Sequence, residues 1–252
     1  MLDSDLAVLS IICVTSFDLN RFSKTLDSVS SFPGKLELVI VCPEDDHQVI
    51  ELINRKARKM NYRVKLIHDS GKGVYPAMNL GLQSCRGEYV LFWNSGDLSF
   101  GNLALLDFTS YLESAEAGWG IAQGSFTWRD EIQLTQENFR SFLLQGDGYV
   151  SHQTVFAKKD SLNALGGFNE KFSVSADTDL ITKLYMLYGE PVFFTQPIVK
   201  VEFPEFSGKH HRRGRIENMI IAFTVLPLKL KFQGLKNALR KEFRYIRGRL
   251  KY

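Results

Sequence analysis

Cysteine is scarce in this sequence, and its three copies, Cys13, Cys42 and Cys85, are far apart with no CxxC pair. An odd, wide spacing of this kind supports neither a disulfide framework nor a zinc site, and buried free thiols are the simple reading. Long apolar runs are missing too. The longest, Leu6 to Leu9 continuing through Ser10 into Ile11 to Val14, falls short of the roughly 18–20 residues that a spanning helix needs. Asp3 and Asp5 precede that run where a secretory signal would carry Lys or Arg, so the expectation is a cytoplasmic protein. No Gly-rich phosphate loop follows the first apolar run, LSIICVTSFD, which argues against a nucleotidyltransferase that makes activated sugars.

What is present is the makeup of one globular domain with an appendage: 252 residues, 44% hydrophobic and 23% charged. The formal charge of +3 is unevenly placed. Residues 226–252 carry nine Lys or Arg against Glu242, a net of +8, which leaves −5 for everything before them. This asymmetry sets a boundary between a main domain, 1–225, and a tail, 226–252. It also argues against a nucleic-acid surface spread over the main domain. In the tail Leu235, Leu239, Phe243, Ile246 and Leu250 recur every three or four residues, with basic residues on the other faces. That is a cationic amphipathic helix, suited to an anionic membrane surface or to packing on the domain or on a second copy in a homodimer.

Alternating β-rich runs and longer helical patterns in residues 1–100 predict βαβ units around a mainly parallel sheet. Strands are expected at Ala7–Val14, Glu37–Cys42, Arg63–Ile67 and Tyr89–Trp93, with helices at Arg21–Val29, Asp46–Met60 and Tyr75–Ser84. The acceptor-binding half, 101–225, is less regular: a hairpin around Trp128 to Glu131, strands near Thr154–Ala157, Val192–Phe194 and Ile198–Phe203, and helices at Lys159–Leu165 and Thr178–Tyr188. Ligands in such open sheets bind beyond the carboxyl ends of the strands. Attention therefore falls on Thr15 to Asp18, Cys42 to Asp46, His68 to Lys72 and Asn94 to Asp97.

The segment YVLFWNSGD, Tyr89 to Asp97, is a buried strand ending in a carboxylate. Asp97 there suits a divalent ion shared with phosphate oxygens, and Asn-Ser-Gly-Asp equally suits a plain turn. The stretch from Lys72 to Asp97 as a whole resembles the family 2 glycosyltransferases, bacterial members above all. Lys72, Gly73, Tyr75, Ala77, Met78, Asn79, Gly81, Gly87, Glu88, Tyr89, Phe92, Asn94, Ser95, Gly96 and Asp97 all fall in register with that family's motifs. The resemblance extends from about Leu9 to Phe223 and implies the GT-A fold of nucleotide-diphospho-sugar transferases. It further implies a donor nucleoside diphosphate sugar, Mn2+ or Mg2+ held by Asp97, and nucleotide contacts, the ribose among them, from the motif that contains Asn94 and Ser95. Asn94 and Gly96 stand where many relatives have carboxylates.

A second segment, Ser151 to Tyr185, is similar to the same family's HQ, GGF and D-x-D-L motifs. The resemblance makes Asp177 the catalytic base of an inverting transfer and places His152 and Gln153 in the acceptor pocket. Asp179 is the rival base, and both aspartates equally suit the start of a helix. Thr15 matches the position that approaches the nucleotide base. Asp69, Lys72 and Asn79 belong to the segment closing on the nucleotide. Cys42 departs from the pattern, because relatives carry the base-recognising Asp there; Asp45 or Asp46 is the available substitute. Pro76 likewise replaces an acid. His210 and His211, in the basic cluster from Lys209 to Arg213, are candidates for the diphosphate. The context implied is bacterial capsule, lipopolysaccharide or exopolysaccharide assembly on the inner membrane face. The rival is a non-catalytic nucleotide-sugar or glycan-binding relative.

Overall fold

A computed structural model describes residues 7–126, 131–132, 139, 150–201 and 210–225. The strands are β1 Leu9–Val14, β2 Leu36–Pro43, β3 Arg63–Asp69, β4 Tyr89–Asn94, β5 Leu98–Ser99, β6 Trp119–Phe126, β7 Glu131–Ile132, β8 Val155–Lys158 and β9 Val192–Val201. The helices are α1 Leu19–Val29, α2 His47–Ala57, α3 Val74–Ser84, α4 Asn102–Ser114, α5 Lys159–Ala164, α6 Ala176–Tyr188 and α7 His211–Val225. The sheet runs β3-β2-β1-β4-β8-β6-β9-β5, with β7 paired to β6. Its first four strands are parallel, and the rest join with mixed directions.

Alternation within single strands divides the core. Leu9, Ile11 and Cys13 of β1 pack with Phe22 and Leu26 of α1, Leu52 of α2 and Phe108 of α4. Ile12 and Val14 face the other way, onto Tyr75 and Met78 of α3 and Leu180 and Leu184 of α6. Both faces of β1, β2 and β4 are therefore buried, which is why these strands read as unbroken apolar runs. Helix α3 lies so close to β1 that a Cβ on Gly81 would sit 2.4 Å from a methyl of Ile12. Helices α1 and α2 start where Asp18 and Asp46 accept from Arg21 N and Val49 N, at 3.2 and 3.3 Å.

The structure adds α4 and β6, for which the sequence pattern had no expectation. Apolar residues of α4 lie on several sides, including an exposed Leu103, so its period is blurred. Two glycines interrupt the apolar run of β6. The two strands expected at the end of the domain are one, β9, which passes through Pro197. Register shifts against β6 between Ala122 and Gly124 absorb the proline, which has no N–H for the ladder. Helix α2 is shorter than expected at both ends, because Asp46 is its cap and Lys59 and Met60 close turns onto Lys56 and Ala57. Ser125 and Phe126 pair antiparallel with Ile132 and Glu131, while the turn of that hairpin lies outside the described residues. The same holds for the strand end at Phe203 and for the basic tail, 226–252. Among the described residues no helix is long and apolar enough to cross a membrane.

Candidate active site

Strand order reverses between β1 and β4, and a crevice of about 310 Å³ opens there, at the carboxyl ends of the parallel strands. Thr15, Asp18, Arg21, Asp69, Asn94 and Ser95 are among its walls. A neighbouring hollow of about 620 Å³ shares Ser16, Pro43, Asp69 and Gly71 with it and adds Phe17, Asp45 and His47. Thr15 Oγ1 and Asp69 Oδ1 are buried with no hydrogen-bond partner among the described residues. Buried polar atoms are nearly always paired, so two orphans on one crevice mark a surface built for a polar ligand. Lys72 is exposed on the loop between β3 and α3, beside the lining residues Gly71 and Gly73.

Phe17, in the Thr15 to Asp18 segment beyond β1, stands at the rim of the hollow, 65% exposed and at φ 50°. A left-handed Phe is strained, by about 1–3 kcal/mol. Its N–H donates to Asp46 Oδ2 at 2.6 Å, which helps to hold it there. Asp46 is thereby committed to Phe17 and Val49, and of the two candidate substitutes Asp45 is the one that lines the hollow, together with Glu44 and Asp69. Cys42 packs into the core, where burial, with Asp46 and Asp69 nearby, pushes its thiol up to about 11.

The Asn-Ser-Gly-Asp segment is a closed turn. Asn94 N donates to Asp97 Oδ2 at 2.6 Å, and Asp97 N returns a bond to Asn94 O at 3.0 Å. Gly96 takes φ 95°, and its N–H donates to Thr25 Oγ1 of α1 at 2.9 Å. Asp97 is only 3% exposed. Burial pushes its carboxyl up to about 6, against the opposing pull of the Asn94 N–H, His152, the Gln153 side chain and Arg21. The carboxylate thus faces the protein interior, while Asn94 and Ser95 face the crevice. Among the described residues no three His, Cys, Asp or Glu side chains converge as metal ligands. An inward, already bonded Asp97 beside Asn94 and Gly96 does not fit the open carboxylate oxygens that a divalent ion on a diphosphate requires.

Asp177 is the second residue of α6, and Ser175 occupies the N-cap position. Its Oδ1 accepts from Thr178 N at 2.8 Å and lies 3.4 Å from Tyr75 Oη, whose single proton has the shorter bond to Val174 O at 2.9 Å. Its Oδ2 lies 3.5 Å from His152 Nδ1, and His152 Nε2 lies 3.2 Å from Asn94 Nδ2. With Asn94 donating to Nε2, the ring proton sits on Nδ1 and points at Asp177. His152 therefore ties α6 to the end of β4, and its ring also acts electrostatically on the buried Asp97 carboxyl. Asp179 is buried and paired with Lys183 at 2.6 Å, a contact within its own helix.

Gln153 is buried, its side chain bonded to Ser151 and to Asp97, and its carbonyl accepts from Trp93 Nε1 at 3.2 Å. The Asn79 amide is engaged at both ends with the loop after α5. Its Nδ2 donates to Phe168 O and Glu170 Oε1, each at 2.9 Å, and its Oδ1 accepts from Phe168 N at 2.8 Å. The exposed His210 and the following His211 open α7, and Lys209 lies outside the described residues. Further along α7, Glu217 accepts from Ser173, Val174 and Ser175 N–H at 3.0, 2.9 and 2.9 Å, and from Arg213 Nε at 3.0 Å. Burial pushes Glu217 up, but these donors outweigh it and hold the carboxyl below its usual range. Nothing in its sequence neighbourhood pointed to this residue, 40 positions beyond Asp177.

No protein-family model matches the chain. It is 23% identical over 192 residues to PGL/p-HBAD biosynthesis glycosyltransferases of Mycobacterium tuberculosis and Mycobacterium bovis, covering 73% of this chain and 71% of theirs. An uncharacterized glycosyltransferase of Rickettsia bellii is 30% identical over 87 residues, 33% of this chain and 12% of that protein. Among solved structures, residues 1–349 of S. aureus TarS in complex with UDP-GlcNAc superpose with a TM-score of 0.70 at 16% identity, covering 94% of this chain and 73% of that one. A mannosyltransferase from Pyrobaculum calidifontis in complex with GDP-Man and Mn2+ gives 0.60 at 18% identity, covering 92% and 64%. The fold is the GT-A fold of these transferases, a central sheet flanked by helices.

Proposed function

We propose that the protein is an inverting glycosyltransferase that moves one sugar from a nucleoside diphosphate sugar to a hydroxyl of a glycan or lipid-linked glycan. The observation that carries this reading is the Asp177–His152–Asn94 chain, which links a partly exposed carboxylate to the crevice wall at Asn94, while Asp177 and His152 themselves line a separate small cavity with Phe92 and Phe168. The glycosyltransferase names of the sequence relatives and the UDP-GlcNAc and GDP-Man complexes of the structural neighbours support it.

In this reading the nucleotide lies along β1–β3, with Thr15 Oγ1 and Asp69 Oδ1 meeting its polar edge and Phe17 offering a ring face to the base. The sugar projects toward His152. Asp177 takes the proton of the acceptor hydroxyl as its oxygen bonds to the anomeric carbon, and the electron pair of the old carbon–oxygen bond leaves with the nucleoside diphosphate. A base so placed contributes ~10²–10⁴ in rate. The proton on His152 Nδ1 and the Thr178 N–H orient the carboxylate. No step runs through Mn2+ or Mg2+, whose expected ligand Asp97 is turned inward. The basic tail, from its composition, is the proposed hold on an anionic membrane surface, and co-sedimentation with anionic vesicles that survived its deletion would remove that role.

The test is a panel of nucleotide sugars incubated with mixed glycan acceptors, followed by NMR of the new anomeric centre. Inverted configuration relative to the donor is expected. Retained configuration, or release of nucleotide without any glycoside under every pairing, would contradict the reading.

A further inference from the structure

Arg21 sits in the first turn of α1, its backbone N–H on the capping carboxylate of Asp18 at 3.2 Å. Its side chain folds over the turn that ends β4. A Cβ placed on Gly96 would lie 2.5 Å from Arg21 Nε and 2.6 Å from Nη2. Glycine at this position suits φ 95°, and the guanidinium occupies the space a side chain would take. Asp18 Oδ2, 3.8 Å from Nε, braces the group from the helix side. Arg21 lines the same crevice as Thr15, Asn94 and Ser95.

A bound diphosphate needs positive charge against it, most of all as its bond to the sugar breaks. The turn offers the crevice two neutral side chains, Asn94 and Ser95, and keeps its one carboxylate inside. A cation is nevertheless built in. Guanidinium is planar, permanently charged and a donor of paired N–H groups that match phosphate oxygens. Lying over the turn before the ligand arrives, it also meets charge developing on the leaving group with little reorganisation.

We propose that Arg21 takes the part of a divalent ion, binding the donor's diphosphate directly, so that this site works without metal. The proposal rests on the donor-crevice reading above. When the carbon–oxygen bond breaks, the electron pair stays on the departing diphosphate beside the guanidinium.

Calorimetric titration of the full chain with uridine, guanosine and thymidine diphosphates, and with the matching nucleosides, tests this in EDTA and in manganese. The diphosphate that binds should do so with affinities within about threefold in the two conditions, under 1 kcal/mol apart. Arg21→Gln should weaken it by about tenfold to a hundredfold, as for loss of a charged hydrogen bond, with nucleoside affinity unchanged and Arg21→Lys partly restoring it. Diphosphate binding abolished by EDTA in the unaltered protein, or Arg21→Gln binding like the parent, overturns the role of Arg21 and leaves the donor crevice standing. Should no diphosphate bind in either condition, the donor reading itself falls and takes this proposal with it. If Arg21→Gln does not fold, the comparison of EDTA with manganese on the unaltered protein decides.

Discussion

Replacing Glu217 with alanine strips one carboxylate from three consecutive backbone N–H groups, those of Ser173, Val174 and Ser175. Ser175 is buried, while Ser173 and Val174 are partly exposed. Water can replace the carboxylate at the first two but not readily at the third. A buried donor left unpaired costs about 1–3 kcal/mol and each rehydrated one less, so a loss on the order of 2–4 kcal/mol follows. These residues lead directly into α6, so the carboxyl of Asp177 should lose its fixed place as well and turnover should fall with stability. The acid limb gives a second check. Glu217 is held below its usual range, so its contribution is full above the unfolded value of about 4.3 and fades as pH falls through the lower folded value. Urea unfolding of parent and Glu217→Ala at neutral pH should show the full gap, and titration into acid should close it. A difference under about 0.5 kcal/mol at neutral pH, the range of ordinary surface changes, would refute the anchoring role.

His152→Ala should lower kcat more than it raises the donor KM, because the imidazole orients Asp177 and Asn94 without lining the nucleotide crevice; a pure KM effect in steady-state assays would count against this. Asp97 has a raised folded value, so the stability it lends is complete below about pH 4 and lost as pH rises through about 6. Asp97→Asn cannot ionise and should escape that loss, worth on the order of 3 kcal/mol, with parallel pH–stability curves for parent and variant as the contrary result. Thr15→Val should weaken nucleotide binding by about fivefold while leaving thermal stability equal or higher, since the hydroxyl has no partner among the described residues. A drop in melting temperature with unchanged affinity would reverse that assignment.

The parallel half of the fold was legible because β1, β2 and β4 are covered on both faces and leave unbroken apolar runs. Helix α4 and strand β6 escaped notice for the opposite reason: apolar residues on several sides of the one and glycines within the other erase the period. Candidate ligand residues at strand ends, Thr15, Asp69, Asn94 and Ser95, could be named because crevice position follows from topology. Side-chain direction does not follow from it. Asp97, Gln153 and Asn79 stand in the expected segments, yet each turns to bond the protein. Arg21 was illegible because an arginine in the first turn of a helix reads as a solvated face. The structure shows where its side chain goes, over Gly96 and into the crevice wall. Glu217 was hidden by chain distance, since its partners lie 42–44 residues earlier.

Asp177→Asn gives the most direct test of the central claim, that a carboxylate on α6 takes the acceptor proton beside a nucleotide-sugar crevice. Donor affinity should stay within about twofold of the parent while transfer falls by ~10²–10⁴. Transfer at near-parental rates, or equal loss of donor binding and turnover, would contradict it.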